Sequence, residues 1–209
     1  MAATKLGIYN KALGYLGERK LASLSEAREP RRLLDDYYSG VVQHCLEMGK
    51  WTFAIRKDEI GARPNRVPDF GFRHCFRKPD DWIRTIEISA SETFHPPLLQ
   101  YSEESEFWEA DCDPIYVKYL SKHGHFGFDL SKWSQLFEDY VVARLALEAC
   151  PRISGAESKI ETLRRLERKA LSAARGNDYA NTAPQQQMGG SWVASRGGSG
   201  HGLRWDRQS

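Results

Sequence analysis

Apolar residues recur at three- and four-residue steps through Leu6, Tyr9, Leu13 and Leu16, with Gly17 just beyond. That spacing predicts a short amphipathic helix stopped by a glycine. Ser25 is a candidate N-cap for the next element, and Pro30 fits a helix only in its first turn. Leu34, Tyr37 or Tyr38, Val41, Cys45 and Met48 then mark one face of a second helix of about five turns, down to Gly49. At "WTFAIRKDEI" the period changes to two: Trp51, Phe53 and Ile55 alternate with Thr52, Ala54 and Arg56, which predicts a strand.

From Gly61 to Ser121 alternating stretches such as "WIRTIEIS" and "PIYVKYLS" are separated by loops bearing Pro and Gly. This predicts a small antiparallel sheet rather than βαβ units. After "HGHFGFDLSKW", Ser131 is the candidate cap of a helix carrying Trp133, Leu136, Phe137, Tyr140, Val141, Leu145 and Leu147, with Pro151 at its end. Ser154 is the candidate cap of a last helix whose buried stripe is Ile160, Leu163, Leu166, Ala170 and Leu171, closed by Gly176. Periodicity is lost beyond it.

The expected architecture is therefore α+β: N- and C-terminal helices forming a helical bundle with a small central antiparallel β-region. Residues 1–176 make the domain (helical 1–50 and 131–176, β-rich 51–121), and 177–209 an extended C-terminal arm. A chain of 209 residues with 41% hydrophobic and 11% aromatic residues has enough apolar material for one such core.

Thirty basic against 28 acidic residues leave a formal charge of +2, far from the balance of a protein that grips DNA through many phosphates. Cys45, Cys75, Cys112 and Cys150 are scattered without paired spacing, which points to reduced thiols rather than a disulfide framework. Asn10 and Lys11 interrupt the N-terminal stretch, so it does not read as a signal peptide, and no run approaches the roughly 20 apolar residues of a membrane span.

Four constellations bear on chemistry. His44, Cys45, His74, Cys75, Cys112, His123 and His125 include only one closely spaced pair, His123 and His125, where zinc sites pair ligands in both halves. No metal or cofactor is expected. There is no nucleophile elbow, no catalytic-cysteine signature and no glycine-rich phosphate loop. Glu103, Glu104, Glu106, Glu109, Asp111 and Asp113 lie around Phe107 and Trp108, a composition compatible with a two-carboxylate glycosidase, with a solvated loop, or with a surface facing a basic partner. Lys159, Arg164, Arg165, Arg168, Lys169 and Arg175 make one face of the last helix basic, as for phosphate contact, although Glu157, Glu161 and Glu167 interleave as on a solvated face.

The ending "QQQMGGSWVASRGGSGHGLRWDRQS" is too rich in Gly, Ser and Gln for a core, yet holds Trp192 and Trp205. Burying one Trp gains about 4–6 kcal/mol at ~25 cal/mol per Å². Ordering each residue costs roughly 1–2 kcal/mol, so a single anchor orders only a few residues. Docking of the whole segment needs several anchors or a repeated partner surface.

"IYNKALGYLGERKLASLSE", "EPRRLLDDYYSGVVQHCLEMGKWTFAIRKDEI" and "KPDDWIRTIEI", followed by the segment from "DPIYVKYLS" through the helical hairpin and a glycine-rich "GSW…R" ending, resemble the tail-adaptor proteins of short-tailed bacteriophages, the tail tubular protein A group. The resemblance runs in order over nearly the whole chain, and "GKWTFAIRK" is its most telling piece. It departs at "HPPLLQYSEESEFWEADC" and in the length of chain after Trp192.

The resemblance implies a non-enzymatic virion component: a ring, commonly of twelve copies, beneath the portal, joining head to tail as the conduit for DNA ejection. Its partners would be the portal protein, other tail proteins and further copies of itself, with DNA passing without specific binding and no membrane involved. It further implies portal contacts through Trp192, Arg196, Arg204 and Trp205, while Lys159, Arg164, Arg165, Arg168 and Lys169 would face the lumen or a neighbouring subunit. A cell-wall-degrading glycosidase and a DNA-binding module stand as the alternatives.

Overall fold

The computed structural model describes residues 3–68 and 70–181, and it is an α+β fold of four α-helices and two small antiparallel sheets. Helices α1 (Lys5–Leu16) and α2 (Glu29–Glu47) come first. Strands β1 (Ile55–Ile60), β2 (His74–Arg77), β3 (Trp82–Ser89), β4 (Ser102–Glu103), β5 (Phe107–Ala110) and β6 (Ile115–Ser121) follow. Helices α3 (Gln135–Ile153) and α4 (Glu157–Asn181) complete the described chain.

Thr4 caps α1 by accepting from the Gly7 amide, and Gly17 ends it at φ 78°, a left-handed conformation that costs a glycine little. Pro30 lies in the first turn of α2, where its missing N–H costs nothing. The cap there is the Arg28 backbone, not Ser25. Helix α3 packs on α1, α2 and α4, and their buried faces form one apolar cluster from Ile8 and Leu13 through Leu34 and Val42 to Phe137, Leu145 and Leu163.

Three further expectations about helix ends are corrected. Ser134 rather than Ser131 caps α3, accepting from the Phe137 amide, while Ser131 sits in a short 3₁₀ turn capped by Asp129. Pro151 does not end α3; the helix runs on to Ile153, and Ser154 closes it instead of opening α4. Gly176 does not stop α4, which continues to Asn181, so helical structure crosses the expected 176/177 boundary.

Trp51 to Ala54 are also not a strand. Residues Thr52–Ala54 form a single 3₁₀ turn, which buries Trp51 in the helical core before β1 begins at Ile55. In place of one sheet there are two, ordered β1-β6-β3 and β2-β5-β4. The central strand β6 joins the layers. Ile115, Val117 and Tyr119 point into a second core with Phe76, Ile88 and Trp108, while Leu120 belongs to the helical core.

Candidate functional site

The stretch "GKWTFAIRK" forms the junction between α2 and β1. Trp51 folds back under α2 and its indole N–H donates to the Cys45 carbonyl at 2.9 Å, deep among Phe53, Phe137 and Tyr140. A Cβ on Gly49 would lie 2.5 Å from the Trp51 ring, so this turn requires the missing side chain.

The last carbonyls of α2 carry the negative end of its dipole and lack partners within the helix. Two guanidinium groups from distant elements collect them. From β3, Arg84 donates to the Gly49 carbonyl at 2.7 Å and to the Glu47 carbonyl at 3.4 Å. From α4, Arg175 donates to the Met48 carbonyl at 2.9 Å through Nε and again through its terminal nitrogen. Asp178, one turn on, accepts from both the amide and the hydroxyl of Thr52, at 3.0 and 2.8 Å. The junction is thus a clamp made by α2, β3 and α4 around one turn of chain.

The basic face of α4 divides in two. Lys159 donates to the Leu16 carbonyl at 2.9 Å and so caps α1, while Arg175 belongs to the junction. Arg168 reaches Glu161 at 3.8 Å. Arg164, Arg165 and Lys169 are exposed and have no ion-pair partner among the described residues. They are the part of the face left to meet something outside the fold. Beside it, Tyr15 of α1 and Leu163 and Leu166 of α4 border a groove of about 420 Å³, rimmed by Ser158, Lys159 and Thr162. A second groove of about 580 Å³ runs beside α2 between Gln43, Asp81, His123 and Phe128. Trp192, Arg196, Arg204 and Trp205 lie outside the described residues.

The acidic segment does not assemble as a carboxylate pair around its aromatics. Glu103 pairs in register with Trp108 and shares its inward face, whereas Glu109 pairs with Ser102 and points the other way. The Glu103 carboxylate accepts from Lys78 at 2.9 Å and from the Thr85 hydroxyl at 2.8 Å. Asp111 and Asp113 accept from the backbone amides of Arg73 and Ala62, which are far away in sequence, and so tie this loop to the chain around β1 and β2.

Lys78 is the buried centre of this region. Its ammonium also donates to the Glu104 carbonyl at 2.6 Å and stands 3.7 Å from the centroid of the Trp82 ring. Both indoles, Trp82 and Trp108, donate to the Thr85 hydroxyl, at 3.2 and 3.0 Å. Glu103 and Trp108 of one sheet, with Lys78 just past the end of β2, are in this way bolted to Trp82 and Thr85 of the other.

Asp81 is a second polar hub. It accepts from Arg56 and Tyr119 at 3.2 Å each and from Ser121 at a shorter contact. Burial pushes its pKa up, but the Ser121 and Arg56 hydrogen bonds and the Arg56 charge outweigh this and hold the carboxyl below its usual value. Nothing in the string "KPDDW" separates Asp81, a hub, from Asp80, which is almost fully exposed.

The thiols of Cys45, Cys75 and Cys112 are all pushed up by burial, which favours the unreactive protonated form near neutrality. Among the described residues no group of three His, Cys, Asp or Glu side chains could hold a metal ion, and no helix is long and apolar enough to cross a membrane. Comparison with protein-family models finds no match to the chain, and comparison with curated proteins finds none either.

Proposed function

We propose that the chain is a head-to-tail adaptor of a short-tailed phage virion, a ring component seated beneath the portal that leads DNA from head to tail. One observation carries this reading. The stretches in which the sequence resembles that group are not scattered over the surface but close on one another: "GKWTFAIRK" is the α2–β1 junction, "KPDDWIRTIEI" enters and forms β3 and returns to the junction through Arg84, and the C-terminal hairpin closes it through Arg175 and Asp178. The most telling stretches of a resemblance that spans nearly the whole chain thus meet in one mutually supporting junction, which supports a shared scaffold.

On this reading the four helices act as the bundle of the adaptor, and the chain beyond α4 is its arm. Trp192 and Trp205 fill pockets on the portal, with Arg196 and Arg204 beside them making bidentate contacts. The exposed Arg164, Arg165 and Lys169 face a neighbouring subunit or the lumen, where a near-neutral chain lets DNA slide. Electron microscopy of the protein mixed with its portal protein tests the reading: a stacked ring is expected, and separate particles would refute it. Ending the chain after Gln187 is expected to leave the fold intact and abolish portal docking; normal docking by that shorter chain would remove the role given to the arm.

A further inference from the structure

We infer that the groove between α1 and α4 is a seat for the chain's own C-terminal segment, with the indole of Trp192 as its occupant. The inference concerns the protein before it meets any partner and does not rest on the adaptor reading.

The groove has an apolar floor and one aromatic wall. Leu163 and Leu166 line it from α4, and Tyr15 stands on the α1 side with 48% of its surface exposed, an aromatic ring left half in water next to apolar neighbours. Its volume of about 420 Å³ accommodates an indole and a small neighbour. The Lys159 ammonium, fixed at the rim by the Leu16 carbonyl, offers a cation to the face of an aromatic ring entering beside it.

The chain reaches. From Leu163 to Asn181 α4 climbs about 27 Å at ~1.5 Å per residue. Trp192 comes eleven residues after Asn181, and that length spans up to about 36 Å when extended at ~3.3 Å per residue. The segment can therefore return along α4 to the groove with slack, within one molecule.

The surroundings choose between the two tryptophans. One turn from the groove, at the helical spacing that makes them its neighbours, stand the exposed cations Arg165 and Lys169. Trp205 lies between Arg204 and Asp206 with Arg207 following, so its docking would bring a net positive charge, two arginines against one aspartate, to these cations. Trp192 sits in "GGSWVAS", which carries no charge and adds Val193 as a second apolar group. The Gly189 and Gly190 pair before it permits the reversal that a return path needs.

The test is ¹⁹F NMR of the full chain labelled with 5-fluorotryptophan, which gives one resonance for each of its six tryptophans. Trp192→Phe and Trp205→Phe assign the two C-terminal signals, and the H₂O-to-D₂O shift of each reports its exposure. The expected result is a small solvent shift for Trp192 and a full one for Trp205. Thr162→Arg, at an exposed helix position that fills the groove, is expected to raise the Trp192 solvent shift several-fold to the Trp205 value. Unchanged Trp51, Trp108 and Trp133 resonances show that this variant keeps its fold, and Tyr15→Ser provides a second perturbation should it not. A fully exposed Trp192 in the unaltered chain, a Trp192 signal indifferent to both substitutions, or a Trp205 signal that moves instead would each overturn the inference. A Trp192 shift that changes on dilution would also overturn it, by placing the segment in a second molecule. Portal protein is absent throughout, so failure here leaves the adaptor reading to its own test.

Discussion

The helical layer and the β layer solve the problem of cohesion differently. The helical core runs from α1 to α4 through packed aromatic and aliphatic side chains, with Phe137 in edge contacts with Trp51, Phe53 and Trp133 at 4.8 to 5.0 Å between ring centroids. The β layer has two sheets of three strands and a much smaller apolar cluster. What holds its sheets in register is polar: the Lys78–Glu103–Thr85 group between them and the Asp81 hub at the end of β6. A large apolar surface tolerates rearrangement, whereas a small one gains specificity from groups that fit only one way.

This contrast can be broken or sharpened by substitution, with stability read from urea unfolding. The largest loss is expected for Phe137→Ala, about 3–5 kcal/mol for a fully buried ring removed from an aromatic cluster. Lys78→Ala is expected to cost about 2 kcal/mol, less than a fully buried pair because Glu103 keeps a third of its surface in water. Lys78→Met, which keeps the volume, should recover part of that loss. If the methionine variant equalled the parent, the polar group would be a filler and the contrast would fall.

Asp81→Asn is expected to cost about 1–2 kcal/mol at neutral pH and to change the acid limb of the stability profile. The folded-state pKa of Asp81 lies below its usual value, so its carboxylate stabilises the fold above the ordinary range near pH ~4 and the contribution is lost as pH falls through the lower folded-state value. The asparagine variant should lose less stability than the parent across that acid window. Arg175→Ala, on the helical side, is expected to cost only about 0.5–1 kcal/mol, because one of two guanidinium caps on α2 remains in Arg84. A loss as large as that of Lys78→Ala would show that the helical layer also depends on polar clamps.

Much of the helical layer was legible because its signals are local. Leu6, Tyr9, Leu13 and Leu16 repeat at the helical period and Gly17 supplies the stop, and the stripe Ile160, Leu163, Leu166, Ala170 and Leu171 packs on the core as its spacing predicts. Helix ends were less legible. Ser131 and Ser134 offer the same hydroxyl, and only the competing acceptor Asp129 decides which of them caps α3. Gly176 misleads because a glycine within a helix and a glycine after one look alike when the residues tying the last turns down, Arg175 and Asp178, bond to a loop far away in sequence. Trp51, Phe53 and Ile55 alternate as a strand would, but the helix above draws Trp51 into a turn. The Lys78 and Asp81 hubs gave no signal at all, since charged residues around the turn at Pro79 read as exposed and their partners arrive only with the tertiary fold.

The Asp178 contact sets a lower limit on where the chain can be cut. A protease clipping after Gly176 would remove the carboxylate that accepts from the Thr52 amide and hydroxyl, leaving the turn that seats Trp51 without one of its ties. A cut beyond Asn181 spares every contact of the clamp. In a timed digest the shortest long-lived fragment should therefore retain Asp178, and its mass would read out the closure of the junction directly.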